Sequence, residues 1–235
     1  MKQEFLNPQI SRTNLDRFLH RRRILEAVTA QSRVLHGKLL DVGCGQMPYK
    51  ELLTPPSGNV SEYIGLDLAG DTNYSKQAKP DLVWDGQAIP LPDNSVDCAM
   101  ATEVLEHCLE PLEVMSEIHR VIRPGGVLFF TVPFLWPLHD APHDFFRYTP
   151  FALESLLKKG GFTKLELHAL AGWDGALCQM IGLWVRRRPM PALLRRILSI
   201  VALPACSLLA SRDKPPVNFY ESQMLTGISG LAWKD

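Results

Sequence analysis

The chain has 235 residues, enough for one full domain with an appendage. Hydrophobic residues make up 46% and charged residues 21%, as in an ordinary globular protein, and the formal net charge is zero. No global field points to nucleic acid, and none is expected as a partner.

The five cysteines, Cys44, Cys98, Cys108, Cys178 and Cys206, are scattered, with no Cys-x-x-Cys pair. That pattern offers neither a zinc signature nor a disulfide framework, so no metal site is expected and a reducing cytoplasm suits the chain. The N-terminal residues are polar and read as no secretory signal.

The spacing of Leu15, Phe18, Leu19, Leu25 and Val28 predicts a helix over residues 11–30, within an N-terminal helical segment 1–35. Arginines fall mostly between the apolar positions, so the helix serves as a lid or packing element, or as a basic interfacial helix. A short apolar strand follows at Lys38–Val42 and runs into Gly43-Cys44-Gly45. Further strands are read at 63–67, 81–84, 96–101 and 127–132, the last entered through the turn Arg123-Pro124-Gly125-Gly126. Between the last two, Pro111–Val121 reads as a helix with Leu112, Met115, Ile118, His119 and Ile122 on one face. A helix over Phe151–Lys159, a strand over 162–170 and a final strand over 225–233 complete the pattern. Short apolar strands alternating with helices give an α/β fold with a parallel sheet covered on both faces.

Before the final strand, within segment 219–235, lies an insert over residues 172–218. Its run Ile197–Ala210 carries no charge and is interrupted by Pro204. The run is short of the ~20 apolar residues of a spanning helix. Arg186, Arg187, Arg188, Arg195 and Arg196 precede it, with no acid expected nearby. Three readings stand: a buried helical cap, an oligomer interface, or a helix lying on an anionic membrane through residues 186–210.

An open parallel sheet binds ligands at the carboxyl ends of its strands. Gly43 and Gly45 lack the Cβ atoms that would keep a ligand from the backbone, and their amides with the following helix start favour an electronegative group. A dinucleotide fingerprint wants a third small residue where this chain has Pro48, which counts against a nicotinamide-dependent oxidoreductase. Asp67 ends the second strand, where a carboxylate accepts from a ribose diol; a helix cap or turn former is the alternative. Asp85 ends the third strand, where a carboxylate accepts from an adenine amino group.

These blocks together resemble the class I S-adenosylmethionine-dependent methyltransferases of the type 11 group. The carrying residues are Leu40-Asp41-Val42-Gly43-Cys44-Gly45, Gly65-Leu66-Asp67, Asp85 through Asp97, Glu103-Val104-Leu105-Glu106-His107 and Ile118 through Gly126. The resemblance covers residues 36–171, a cofactor-binding core, and implies a single methyltransferase domain over 1–235. It implies a seven-stranded, mostly parallel Rossmann-like sheet with helices on both faces and the last strand antiparallel after the helical insert. It further implies that the Gly43-Cys44-Gly45 turn cradles the methionine part of S-adenosylmethionine while Asp41 helps hold its amino group. It implies too that Asp67, with Leu68 beside it, binds the ribose and that Asp85, Gly86, Gln87 and Ala88 line the adenine. It implies that Glu103 and His107 border the place where the methyl group meets its acceptor, with His107 an adenine or acceptor neighbour, or else the cap of a helix start.

Methyl transfer asks the protein to align a nucleophile and exclude water, with a general base only where the acceptor must lose a proton. His139 or His143, paired with Asp140 or Asp144, is the candidate catalytic base; an Asp144–Arg147 pair fixing the loop is the structural alternative. Thr149-Pro150 reads as a helix start. The expected acceptor is a small molecule or a lipid- or glycan-linked group, and the expected location is cytoplasmic, at most peripheral at the inner membrane face. A non-catalytic cofactor-binding scaffold is the remaining alternative.

Overall fold

The computed structural model describes residues 2–68, 79–220 and 224–235, with the side chains of residues 2 and 3 left out. Residues 221–223 of the expected 219–235 segment therefore lie outside the described residues. The elements are α1 (Lys2–Leu6), α2 (Phe18–Ala30), β1 (His36–Val42), α3 (Lys50–Leu53), β2 (Asn59–Leu68), β3 (Leu82–Trp84) and β4 (Val96–Thr102). They continue with a 3-10 turn (Leu105–His107), α4 (Pro111–Val121), β5 (Ile122–Pro133), α5 (Pro150–Lys159), β6 (Lys164–Ala169), α6 (Trp173–Arg187), α7 (Ala192–Arg212) and β7 (Gly227–Trp233).

The seven strands form one mixed sheet in the order β3-β2-β1-β4-β5-β7-β6, with the last strand antiparallel. Parallel ladders join β1 to β2 and β4, with Val42 opposite both Leu66 and Ala101. Chain order therefore reverses between β1 and β4, and the carboxyl ends of these two strands frame the crevice that open sheets use for ligands.

Two compact units make up the chain. One comprises the described residues up to Ala27 and those of 168–228; the other runs over Val28–Leu167 and Ser229–Asp235. The second holds the sheet core: Leu39, Leu40 and Val42 of β1, Cys98 to Ala101 of β4 and Leu128 to Phe130 of β5 are all buried. On α4 the buried face is Val114, Met115, Ile118 and Val121. Leu112, expected inside, is exposed, and Ile122 already belongs to β5. The helix is rotated from the expected phase because Val114 and Val121 outcompete Leu112 for the sheet. Arg123 to Gly126 falls within the bounds of β5, but the pairing with β4 passes from Ile122 to Val127 and Gly125 has φ +79°, so these residues bulge from the ladder at the strand's start. There the Gly125 amide donates to the Lys234 carbonyl and the Lys234 amide to the Gly126 carbonyl. Thr149 caps α5 by accepting from the Ala152 amide, with Pro150 at the first position, as expected.

In the other unit, Leu15, Phe18 and Leu19 pack with Cys178 and Val185 of α6 and Ala202, Cys206 and Ala210 of α7. The N-terminal helix starts at Phe18 rather than near residue 11, because Ser11 to Arg17 is folded into turns held by Asn14, which accepts the Ser11 amide through Oδ1. The arginine triplet of α2 is matched by acids: Arg21 meets Glu4, Arg22 and Arg23 meet Glu26, and Arg23 also meets Asp213. Asp213 corrects the expectation that no acid lies near the insert, for its second oxygen also accepts the Gly172 and Gly175 amides at the start of α6. α7 runs through Pro204 for 21 residues, longer than the charge-free run suggested. One missing N–H removes one helical bond, while Ala202, Cys206 and Ala210 anchor both sides of it in the cluster. By length and composition alone α7 could cross a membrane, and only 17% of its apolar window is buried.

Candidate functional site

β1 gives way to a turn in which Gly43 and Gly45 have φ of +65° and +49°. Side chains rarely tolerate that region, so glycine is required twice. A Cβ on Gly43 would stand 2.5 Å from Val104 Cγ2, so this glycine lets the β1 turn close against the segment after β4. Among the described residues, a Cβ on Gly45 would meet nothing within 4 Å, so its face is open to them. The expected helix start just beyond the turn is displaced. α3 is a four-residue helix beginning at Lys50, too short and too distant to lend a dipole to the turn. The Gly45 amide does not face the crevice unengaged either, because it donates to Asp67 Oδ2 at 2.8 Å.

Asp41, at the buried end of β1, is 2% exposed. Tyr63 donates its hydroxyl to Oδ2, while Oδ1 has no partner among the described residues. Burial pushes the Asp41 carboxyl up to about 7, opposed by the Tyr63 hydrogen bond and reinforced by the nearby charge of Asp67. Asp67 accepts from Gly45 through Oδ2 and from the Leu68 amide through Oδ1, at 2.8 Å each. Oδ2 also lies 4.0 Å from the Cys44 thiol, Oδ1 keeps a further lone pair, and the side chain is half-buried. Cys44, in the middle of the turn, has its thiol pushed up by burial and by Asp41, so it is no nucleophile. Asp85 accepts the Gln87 and Ala88 amides through Oδ1, and these bonds hold its carboxyl below the usual range. One oxygen of Asp85 thus shapes the exposed Asp85–Ala88 turn, in which Gly86 has φ +86°.

The segments after β4 and β5 meet beyond this crevice. Glu103, at φ +57°, accepts the Thr131 hydroxyl at 2.9 Å. Glu106, in the 3-10 turn, is wholly buried, and among the described residues neither of its carboxylate oxygens accepts a hydrogen bond. Burial, then the charge of Glu103, pushes its carboxyl well above the usual range. His107 caps no helix; its Nδ1 lies 2.6 Å from the His143 carbonyl, and its ring meets the His139 ring edge-on at 4.7 Å. His139 Nδ1 lies 3.1 Å from Asp144 Oδ2. Asp144 is also gripped by the Arg147 guanidinium on both oxygens, which holds its carboxyl well below the usual range. The catalytic and structural readings of this loop thus coexist on Asp144. The His143 ring is exposed and lies against Phe145, with no acid partner among the described residues. Glu106 and Tyr63 are the residues that sequence reasoning passed over. Glu106 stood in the quoted block Glu103–His107, but nothing local announces a buried, unpartnered carboxylate.

A family model described as a methyltransferase domain matches residues 40–130, the stretch that builds both crevice walls. Over these residues the chain is similar to S-adenosylmethionine-dependent methyltransferase domains. A malonyl-[acyl-carrier protein] O-methyltransferase from Methylococcus capsulatus is 28% identical over 75% of this chain and 65% of its own length. A probable S-adenosylmethionine-dependent methyltransferase from Mycolicibacterium smegmatis is 32% identical over 53% of this chain and 51% of its own. The chain thus spans less than two thirds of these relatives. The crystal structure of a methyltransferase from Thermotoga maritima, described as a possible histamine N-methyltransferase, superposes with a TM-score of 0.59. That match covers 92% of both chains at 13% identity and shows the shared fold.

S-adenosylmethionine is the cofactor that this likeness implies. The residues present fit it on three counts. Asp41 has an orphaned buried oxygen for an ammonium group. Gly45 leaves open space beside the backbone. Asp67 retains lone pairs for a diol.

Proposed function

We propose that the protein transfers a methyl group from S-adenosylmethionine to a small-molecule or lipid- or glycan-linked acceptor. The observation that carries this reading is the buried Asp41 carboxylate with one oxygen unpartnered, set beside the open face of Gly45 and the anchored Asp67. When bound, the cofactor supplies a methyl group activated on a sulfonium. The chain's own residues bind, orient and exclude water. Asp41, Gly43, Cys44 and Gly45 hold the amino-acid end, and Asp67 with Leu68 holds the ribose. Gly86, Gln87, Ala88 and the second oxygen of Asp85 line the adenine. Glu103 and His107 stand at the acceptor side. Of the two loop histidines, His139 rather than His143 is placed to act on an acceptor, because Asp144 fixes its Nδ1 proton and leaves Nε2 with a free lone pair. An oxygen acid linked to a carrier is the first acceptor class to try, given the malonyl O-methyltransferase relative. The test is formation of S-adenosylhomocysteine across a panel of carboxylic acid, phenol, amine and glycolipid acceptors. Cofactor binding without turnover on any of them would favour the scaffold alternative.

We infer that α6 and α7 rest on an anionic membrane surface at the cytoplasmic face. Leu177, Met180 and Trp184 of α6 and Leu193, Ile197, Ile200, Val201 and Leu208 of α7 are exposed. Such a density of exposed apolar side chains marks an interaction face. Arg186, Arg188, Arg195 and Arg196 form no ion pair among the described residues, whereas Arg187 meets Asp16. Unpaired arginines beside an apolar helix suit headgroup phosphates. Flotation with vesicles of anionic lipid tests this, with Ile197→Glu/Val201→Glu as the comparison. Loss of flotation in the variant supports it; equal flotation, or a stable dimer in solution in its place, contradicts it.

A further inference from the structure

We propose that Glu106, His107 and His139 bind a divalent first-row transition-metal cation between the β4 and β5 loops. One donor atom from each lies within 4.8 Å of the other two. Glu106 is wholly buried and its carboxylate oxygens accept no hydrogen bond; the nearest nitrogen described is His107 Nε2, 3.7 Å from Oε1. A buried polar group without a partner is costly and asks for one.

Both imidazoles present the ligand form. His107 Nδ1 faces the His143 carbonyl, which only accepts, so Nδ1 carries the proton and Nε2 keeps its lone pair. His139 Nδ1 faces the Asp144 carboxylate, with the same consequence. A histidine whose other nitrogen donates to a carbonyl or carboxylate is the usual orientation of a metal-bound histidine. The outer groups are themselves held: Arg147 forks onto Asp144, the Phe145 and Phe146 amides donate to the Glu106 carbonyl, and the Tyr148 hydroxyl donates to the Leu105 carbonyl. An imidazolium–carboxylate pair between His107 and Glu106 would leave His139 Nε2 unused.

Ligands at about 2.1 Å from a tetrahedral ion stand about 3.4 Å apart, so binding draws these donors inward by about 1 Å. Two imidazoles and one carboxylate select zinc, iron, cobalt or nickel over magnesium and calcium. Three protein ligands leave open positions for water or an acceptor oxygen. That last role rests on the methyl-transfer reading, and the binding itself does not. A cation here occupies the His139 lone pair and takes over the acidifying of the acceptor, so His139 is then a ligand and not a base.

The test is titration of the chelator-treated full chain with Co2+, read by visible absorption, and with Zn2+ and Mg2+ by calorimetry. One Co2+ or Zn2+ per chain is expected, with Mg2+ at least about tenfold weaker. His139→Ala and Glu106→Gln should each weaken binding about 10–100-fold, and His143→Ala, which keeps its carbonyl, should not. S-adenosylmethionine binding measured on the same variants shows that they fold. Equal Co2+ binding by wild type and His139→Ala, or none by either, overturns the proposal. Metal binding without cofactor binding leaves it standing and sinks the methyl-transfer reading instead.

Discussion

The Asp67 carboxylate accepts the Gly45 amide at 2.8 Å, tying the end of β2 to the turn after β1. One residue thereby shapes the turn and, in the proposed function, also accepts from a sugar diol. Hydrogen bonds to a charged group are worth about 1.5–3 kcal/mol. Asp67→Ala should therefore weaken S-adenosylmethionine binding roughly 10–100-fold by calorimetry. Asp67→Asn should weaken it less, because its side-chain oxygen still accepts from Gly45. Unchanged affinity in Asp67→Ala would remove the ribose role.

The two glycines of the turn should separate stability from binding. Gly43→Ala sets a methyl group 2.5 Å from Val104 Cγ2 at a positive φ, so both clash and strain act. It should cost about 2–4 kcal/mol and lower Tm by several degrees. Gly45→Ala meets no atom within 4 Å and bears only the strain of its φ. It should cost about 1 kcal/mol while abolishing cofactor affinity, because the new methyl fills the open face. Thermal melts paired with cofactor titrations check both.

Asp41 predicts a pH dependence with a definite sign. Its carboxyl titrates near 7 when folded, against about 3.9 in an unfolded chain. Between these values the folded state holds the extra proton, so stability of the free protein falls as pH rises, by up to about 1.4 kcal/mol per unit. Asp41→Asn should flatten that slope, gaining stability at pH 8 relative to wild type and none below about pH 4. Cofactor affinity, which needs the charged carboxylate for an ammonium, should rise through pH 7 in wild type with proton release. Denaturant melts and calorimetry in buffers of different ionisation enthalpy measure the two effects; a wild-type slope matching that of Asp41→Asn would contradict the assignment.

Lys234 closes the far end of the sheet. Its Nζ donates to Asn94 Oδ1 and to the His119 and Ile122 carbonyls, at 2.7–2.8 Å. Burial holds its amine below the usual range. Lys234→Met keeps the apolar stem but leaves the carbonyls at the end of α4 without their donor. The expected loss is about 1–3 kcal/mol, read as a lower urea midpoint with no change in cofactor affinity.

What was legible in the sequence was local. Pro111–Val121 and the Thr149-Pro150 start were readable because caps and periodicity act within one turn of helix. The place of Asp67 at the end of β2 was readable because strand ends and glycine turns follow one another closely in the chain. What escaped was set by distant partners. Asp213, 41 residues from Gly172, caps α6 and neutralises Arg23, which no spacing rule announces. The α4 face rotated because the sheet, not the helix, chose which apolar residues to bury. Glu106 reads as one more acid in a polar block, and only the fold of the 137–148 loop deprives it of partners.

The proposed function requires that the turn from Asp41 to Gly45, braced by Asp67, hold S-adenosylmethionine. Calorimetric titration of the full chain with S-adenosylmethionine, and separately with NADH, tests it most directly. The account predicts saturable binding of one S-adenosylmethionine per chain and no saturable heat with NADH. Saturation by NADH, or none by S-adenosylmethionine, would contradict it.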